Sequence, residues 1–77
     1  MKIIVTFHTY FGAMNFERNM KKMGINVTMM PVPRALSASC GVCSVYEGEL
    51  KPELMDECEA DAAYGAESYE KLWQSEN

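Results

Sequence analysis

The spacing of apolar and polar positions changes along this chain, and each change marks an element. Lys2 to Phe7 is a short apolar and β-branched run, which predicts a buried strand. From Ala13 the apolar residues recur three and four positions apart, which predicts an amphipathic helix ended by Gly24. The residues on that face are Ala13, Phe16, Met20 and Met23. A second β-branched run, from Ile25 to Val32, predicts the next strand, closed by prolines.

The second half of the chain predicts three more elements. Val42 to Glu47 is expected to be a third strand, and Pro52 fits the first turn of a second helix. The apolar face of that helix is expected to carry Leu54, Met55, Cys58 and Ala62, and residues 64–66 are expected to end it. Residues 69–74 fit neither period cleanly; of the two alternatives, a helical tail and a short closing strand of the sheet, we favour the strand.

The predicted order of elements is strand, helix, strand, strand, helix, strand. This order is typical of the α+β ferredoxin-like βαββαβ fold, with one antiparallel sheet and two helices on one face. The chain has 77 residues, no internal repeat and no linker, so we expect a single domain over residues 1–77.

This topology predicts that several loops meet at one end of the sheet. The first two strands are parallel through a right-handed crossover, so their carboxyl ends lie together. His8 after the first strand and residues 34–40 after the second are therefore expected to be neighbours. The turn from Gly65 to Ser68 and the N-terminus of the first helix are expected at the same end.

Charge and composition narrow the classes of partner. The formal net charge is −4, and the few basic residues do not form the basic face that nucleic acid requires. No apolar run approaches the roughly 20 residues that span a bilayer, and the first residues lack the cleavage end of a signal peptide. Three cysteines are an odd count that does not suit a secreted disulfide framework. We therefore expect a cytoplasmic protein with reduced thiols and neither a membrane nor a nucleic acid partner.

The candidate chemistry lies in the loop before the third strand, where we predict Cys40 to be a nucleophile. A nearby helix N-terminus, an arginine or a protonated histidine each stabilises a thiolate, and the topology is expected to bring all three to Cys40. Glycine after the cysteine is expected to allow a close backbone approach or a positive φ. The expected thiol surround is Arg34, Ser37, Ser39, Gly41 and His8.

The other two cysteines have less specific interpretations. Cys43 forms a C-x-x-C with Cys40, but redox motifs of this spacing open a helix, whereas this one enters a strand. Cys43 can thus be a small strand residue, a resolving thiol or, least favoured, a metal ligand. Cys58 on an apolar helix face is expected to be a small hydrophobic residue. A closed zinc site needs four ligands, which the chain does not readily supply, so neither a metal nor another cofactor is expected.

Two short motifs in this loop resemble those of a known family. Pro31-Val32-Pro33-Arg34, followed by Ser37-Ala38-Ser39-Cys40-Gly41, resembles the P-x-P-R and S-S-S-C-G signature of the Se/S carrier protein-like family, a group of short bacterial domains. The likeness extends over most of the chain as a pattern of elements. Ala38 replaces the middle serine of the signature, and Cys43 is not part of the family pattern.

The resemblance implies a carrier of sulfur or selenium rather than a stand-alone enzyme. It puts the carrier thiol on Cys40, with the residues around it as its surround, and leaves Cys43 as a candidate resolving thiol. The implied partners are a sulfur-donor protein, such as a cysteine desulfurase, and a sulfur- or selenium-acceptor protein. Two alternatives stay open: a dithiol redox protein using Cys40 and Cys43, and a non-catalytic interaction module, which could pair as a homodimer through a sheet edge or open face.

Overall fold

The computed structural model describes residues 1–36 and 40–76, and in these residues it has five strands and two helices. In chain order they are β1 (Lys2–Phe7), α1 (Tyr10–Lys22), β2 (Val27–Pro31), β3 (Val42–Glu47), α2 (Pro52–Glu57), β4 (Ala60–Gly65) and β5 (Lys71–Gln74). The bounds of β1 and β3 are those that the sequence predicts.

All five strands belong to one sheet in the order β2-β3-β1-β4-β5, and every neighbouring pair is antiparallel. The central strand β1 pairs Ile3 with Tyr46 of β3 and Val5 with Ala63 of β4. The predicted α+β class with one antiparallel sheet and two helices is confirmed. The sheet has five strands rather than the predicted four, because residues 60–65 add a strand that the sequence did not indicate.

Helix α1 begins and ends at recognisable capping residues. Thr9 has extended backbone angles, and its hydroxyl accepts the N–H of Gly12 at 3.1 Å. At the other end Gly24 has φ +77°, its N–H donates to Lys21, and the N–H of Ile25 donates to Met20. This is a Schellman motif, so the prediction that Gly24 ends the helix is confirmed.

The prediction for the second helix is wrong beyond its first turns. Helix α2 ends at Glu57, and Glu59 turns the chain with φ +59°. Ala62, expected on the helix, lies instead in β4 opposite Thr6, whose hydroxyl donates to the Ala62 carbonyl at 3.3 Å. Pairing with the central strand β1 prevails over the helical preference of an alanine-rich segment.

The main core lies between the helices and one face of the sheet. We call it the helix-side core; its buried members are Ile3, Val5, Phe7, Ala13, Phe16, Met20, Tyr46, Met55, Cys58, Ala60 and Ala63. Both helices contribute to it, as predicted for two helices on one face. On the other face, Ile4, Cys43 and Val45 form a smaller open-face cluster, covered by Val32, Leu36 and Ala66.

The strand directions define two ends of the sheet. We call the end where β1 and β2 finish and β3 and β4 begin the thiol end, because Cys40 lies there, directly before Val42. The turn from Gly65 to Ser68 was expected at this end, and that prediction is wrong. Gly65 pairs with Ile3 and the N–H of Ala66 donates to the Lys2 carbonyl, which puts the turn at the opposite end.

None of the helices in the described ranges is long and apolar enough to cross a membrane.

Candidate functional site

Cys40 lies at the thiol end, where the chain enters β3 from the loop after β2. It is half-buried, and its side chain packs against the edge of the helix-side core. Its Sγ donates to the Val42 carbonyl oxygen at 3.3 Å, and the Val42 N–H donates back to the Cys40 carbonyl. These two contacts fix the residue in a tight turn, and the thiol must leave the Val42 carbonyl when it loses its proton.

The N-terminus of α1 also lies at the thiol end, as predicted. Its first turn packs against the end of α2: a Cβ placed on Gly12 would lie 2.6 Å from the Cys58 carbonyl oxygen. The Thr9 hydroxyl already occupies the N–H of Gly12. The segment that completes this end of the molecule is therefore 58–61, and not the predicted turn 65–68.

Cys43 is fully buried on the opposite face of the sheet from the helix-side core. It pairs with Thr6 across the strands, and its Sγ lies 3.7 Å from the Pro31 carbonyl oxygen. Burial raises the pKa of the Cys43 thiol, and Cys40 nearby raises it further. Because Cys40 packs on one side of the sheet and Cys43 on the other, the two thiols of the C-x-x-C do not face each other.

Cys58 is the C-cap residue of α2 and a buried member of the helix-side core. Burial raises the pKa of its thiol, and the neighbouring Glu57 adds to this effect. The side chain therefore packs as a small hydrophobic residue. All three cysteines are free.

Among the described residues, no hydrogen bond or ion pair joins either predicted cation, His8 or Arg34, to Cys40. His8 is partly exposed, and its Nε2 lies 3.7 Å from Oδ1 of Asp61 in β4. Arg34 is exposed, and no hydrogen bond or ion pair joins it to a residue in the ranges 1–36 and 40–76. Asp61 also lies at the thiol end, and the sequence did not predict this. The acidic run of residues 56–61 is typical of a solvent-exposed helix face rather than of a functional site.

Of the remaining predicted surround of the thiol, the structure describes Gly41. Ser37 and Ser39 lie outside the described residues. Gly41 accepts the N–H of Val32 at 3.1 Å, has no positive φ, and a Cβ added to it would meet none of the described atoms within 4 Å. Neither expected reason for glycine at this position, a close backbone approach or a left-handed turn, therefore holds within the described residues.

These positions limit the chemistry of the thiol end. The half-exposed thiol of Cys40 can exchange a group with an outside molecule. A disulfide between Cys40 and Cys43 would first require β3 to open, because Cys43 is buried. In residues 1–36 and 40–76, no group of three or more His, Cys, Asp or Glu side chains is placed to hold a metal ion.

Comparison with known proteins gives one family. A family described as "Putative Se/S carrier protein-like" matches residues 2–70, which include β1 to β4 and both helices. No curated protein and no solved structure matches the chain.

Proposed function

Because the chain belongs to the Se/S carrier protein-like family, we propose that it carries sulfur or selenium on Cys40 between a donor and an acceptor protein. The carrier role follows the family's description, and the assignment to Cys40 follows the positions of the three thiols. In this proposal the chain is a partner in transfer rather than a stand-alone enzyme.

The observation that carries the assignment is the difference in burial between the cysteines. Cys43 and Cys58 are buried and have raised thiol pKa values, whereas Cys40 is half-exposed at the end of the sheet. A protein-bound persulfide can reach only a thiol at the surface. The same difference disfavours the dithiol alternative, because the Cys43 thiol is covered.

The transfer step needs no oxidant or reductant. The Cys40 thiolate attacks the terminal sulfur of a donor persulfide, an S–S bond forms to Cys40, and the donor's inner sulfur leaves as a thiolate. An acceptor nucleophile then attacks the terminal sulfur on Cys40, and the Cys40 thiolate is released. With selenium, the terminal atom is selenium and the electron count is the same.

Intact mass spectrometry after incubation with a cysteine desulfurase and cysteine tests the proposal. The wild type is expected to gain about 32 Da, one sulfur atom, as a persulfide. Cys40→Ser is expected to gain nothing, while the matched control Cys58→Ala gains the same mass as the wild type. Selenocysteine as the donor's substrate distinguishes selenium from sulfur by the larger mass gained.

Two results would overturn this assignment. An unmodified wild type removes the carrier proposal, and a Cys40→Ser protein that still gains sulfur removes Cys40 as the carrier thiol.

Labelling by iodoacetamide as a function of pH separates a carrier from an interaction module, since an incidental thiol reacts no faster than a model peptide.

We also propose a cytoplasmic location, because the carrier needs reduced thiols and all three cysteines are free. Cell fractionation tests it, and recovery from an oxidising compartment would contradict it.

For the fold, we propose a ferredoxin-like sheet enlarged by β5, since the elements through β4 follow the order β-α-β-β-α-β. A structure in which the first four strands have another order would contradict that assignment.

A further inference from the structure

Three large apolar side chains are exposed together near the start of α1. Tyr10 is 57% exposed, Phe11 is 71% exposed and Met14, one turn further along the helix, is 42% exposed. We call these three residues the α1 patch. Apolar residues scattered singly over a surface are ordinary, whereas neighbouring ones mark a surface that contacts another molecule.

Neither the core nor the stability of α1 explains this patch. The buried face of the helix is formed by Gly12, Ala13, Phe16 and Met20. Tyr10 and Phe11 belong to neither core cluster. Acidic residues stabilise a helix N-terminus, but the first turn of α1 has none, and aromatic residues have only a modest helix preference. The aromatic side chains at these two positions therefore need another reason.

The register of the sheet puts the start of α1 next to Cys40. Thr6 of β1 pairs with Cys43 of β3, and Thr9, the N-cap of α1, is three residues beyond Thr6. Because Cys40 is three residues before Cys43 on the antiparallel neighbour, it lies at about the level of Thr9, roughly 5 to 10 Å away. Helix α1 and the Cys40 side chain both pack on the helix-side core, so they lie on the same face of the sheet.

The α1 patch also lies on the flank of the helix that is turned toward Cys40. Met14 lines a groove of about 380 Å³ with Val27 of β2, so this flank faces β2, the strand beside β3. Tyr10 is one helical turn before Met14 and lies on the same flank, nearer the thiol end. The opposite flank packs on the end of α2 through Gly12. Tyr10 and Cys40 are thus on the same side of α1.

A protein that reaches the Cys40 sulfur has to cover this patch. Cys40 is half-buried, so a persulfide on another protein approaches it across the surface of the thiol end. A stable protein interface covers roughly 800 Å² on each partner, a disc of about 16 Å radius. Such a disc centred on Cys40 includes Tyr10 and Phe11, which directly follow Thr9. Tyrosine, phenylalanine and methionine are among the residue types enriched at the core of interfaces.

We propose that the α1 patch is the docking surface for the sulfur-donor protein, an inference that rests on the proposed carrier function of Cys40. Loading starts from a thiol whose Sγ donates to the Val42 carbonyl at 3.3 Å, and the donor persulfide must be held in line with that sulfur. Docking on the patch supplies this orientation. The S–S bond of the donor breaks, one to Cys40 forms, and the Cys40 proton passes to the donor's inner sulfur, so no oxidant is needed.

The rate of loading, measured against the concentration of the chain, tests the inference. With the cysteine desulfurase that loads Cys40, the double variant Tyr10→Ala with Phe11→Ala is expected to raise KM roughly tenfold or more, while the rate at saturation stays nearly the same. Alkylation of Cys40 by iodoacetamide is expected to be unchanged, because a small reagent needs no docking surface. The matched control Met23→Ala removes a 52% exposed apolar side chain at the other end of α1 and is expected to leave KM unchanged.

Binding is measured separately from the chemistry with the Cys40→Ser chain, which has no carrier thiol. It is expected to bind the same desulfurase, and adding the two alanine substitutions is expected to raise Kd by a similar factor. A wild type that gains no sulfur overturns the carrier proposal and this inference with it. A wild type that is loaded, with KM and Kd unaffected by the double substitution, overturns the docking inference alone. Self-association that the double variant abolishes in sedimentation also overturns it, because a second copy then covers the patch.

Discussion

Gly12 has no side chain, and this allows α1 to pack closely against the end of α2. A Cβ at this position would lie 2.6 Å from the Cys58 carbonyl oxygen, a backbone atom that cannot rotate away. Gly12→Ala is therefore expected to lower the free energy of unfolding by about 1 to 3 kcal/mol, despite the helix preference of alanine. Urea denaturation measures it. The control Gly41→Ala faces open space in the described residues and is expected to change stability little; equal losses in both variants would contradict the close contact at Gly12.

Tyr46 makes stability depend on pH in the alkaline range. Its hydroxyl donates to the Glu49 carbonyl at 2.7 Å, and burial raises its pKa from 10.0 to about 12. Between these values the unfolded chain loses the phenolic proton while the folded chain keeps it, so the free energy of unfolding falls as pH rises. The expected loss is about 2 to 3 kcal/mol.

Denaturation of the wild type and of Tyr46→Phe at a series of pH values isolates this effect. The variant is expected to be less stable at neutral pH by about 1 kcal/mol, because one hydrogen bond is lost. Between pH 10 and 12 it is expected to lose less stability than the wild type, because no phenol titrates at position 46. If the free energy of unfolding falls equally in the two proteins between pH 10 and 12, the pKa of Tyr46 is not raised in the folded chain.

Strand β3 controls the reactivity of Cys43. The residue is paired on both sides, with Thr6 of β1 and Met30 of β2, and its thiol is fully buried. In a Cys40→Ser background, iodoacetamide is expected to label Cys43 roughly a hundredfold more slowly in the native chain than in denaturant, since reaction waits for local opening. Mild oxidation of the wild type is expected to leave residues 40 and 43 unlinked. A rapid intramolecular disulfide would instead favour the dithiol alternative.

The elements that the sequence predicts well are those whose local signals agree with their tertiary pairing. The β-branched run of β1 and the glycine after α1 each indicate one structure, and the chain adopts it. In residues 60–65, alanine spacing favours a helix, while pairing on both sides with β1 and β5 makes a strand. The turn at Glu59 contains no glycine or proline, so the sequence carries no turn signal there. That boundary depends on contacts distant in sequence, which periodicity cannot reveal.

The same limit applies to the thiol end. Cys40 and the start of α1 lie at the same end of the sheet because of the directions of two strands that were predicted, so topology alone could place them there. Asp61 could not be placed, because its contact with His8 exists only when residues 60–65 form a strand. The packing of Leu36 against the open-face cluster, to which Cys43 belongs, likewise depends on the path of residues 32–36 after β2.

Across the whole molecule, strands β1 and β4 separate β5 from the strand that follows Cys40, although β5 finishes at the thiol end, where the Ser75 N–H donates to the Asp61 carbonyl at 2.9 Å. The family match ends at residue 70, before β5, and Trp73 of β5 packs against the helix-side core on the far side of β4 from Cys40. Trp73→Ala is expected to lower the free energy of unfolding by about 1 to 3 kcal/mol, less than for a fully buried tryptophan because the ring is half-exposed. In a domain of this size each kcal/mol lowers Tm by roughly 4 to 8 °C.

The alkylation rate of Cys40 is expected to stay the same in Trp73→Ala, measured well below its Tm, because β1 and β4 lie between β5 and the strand that follows Cys40. Phe11→Ala is the matched aromatic control: its ring is 71% exposed, so its removal is expected to leave Tm nearly unchanged. A Trp73→Ala protein that keeps its Tm but alkylates Cys40 faster would contradict this separation. It would mean that β5 also holds Cys40 in place, in addition to stabilising the sheet.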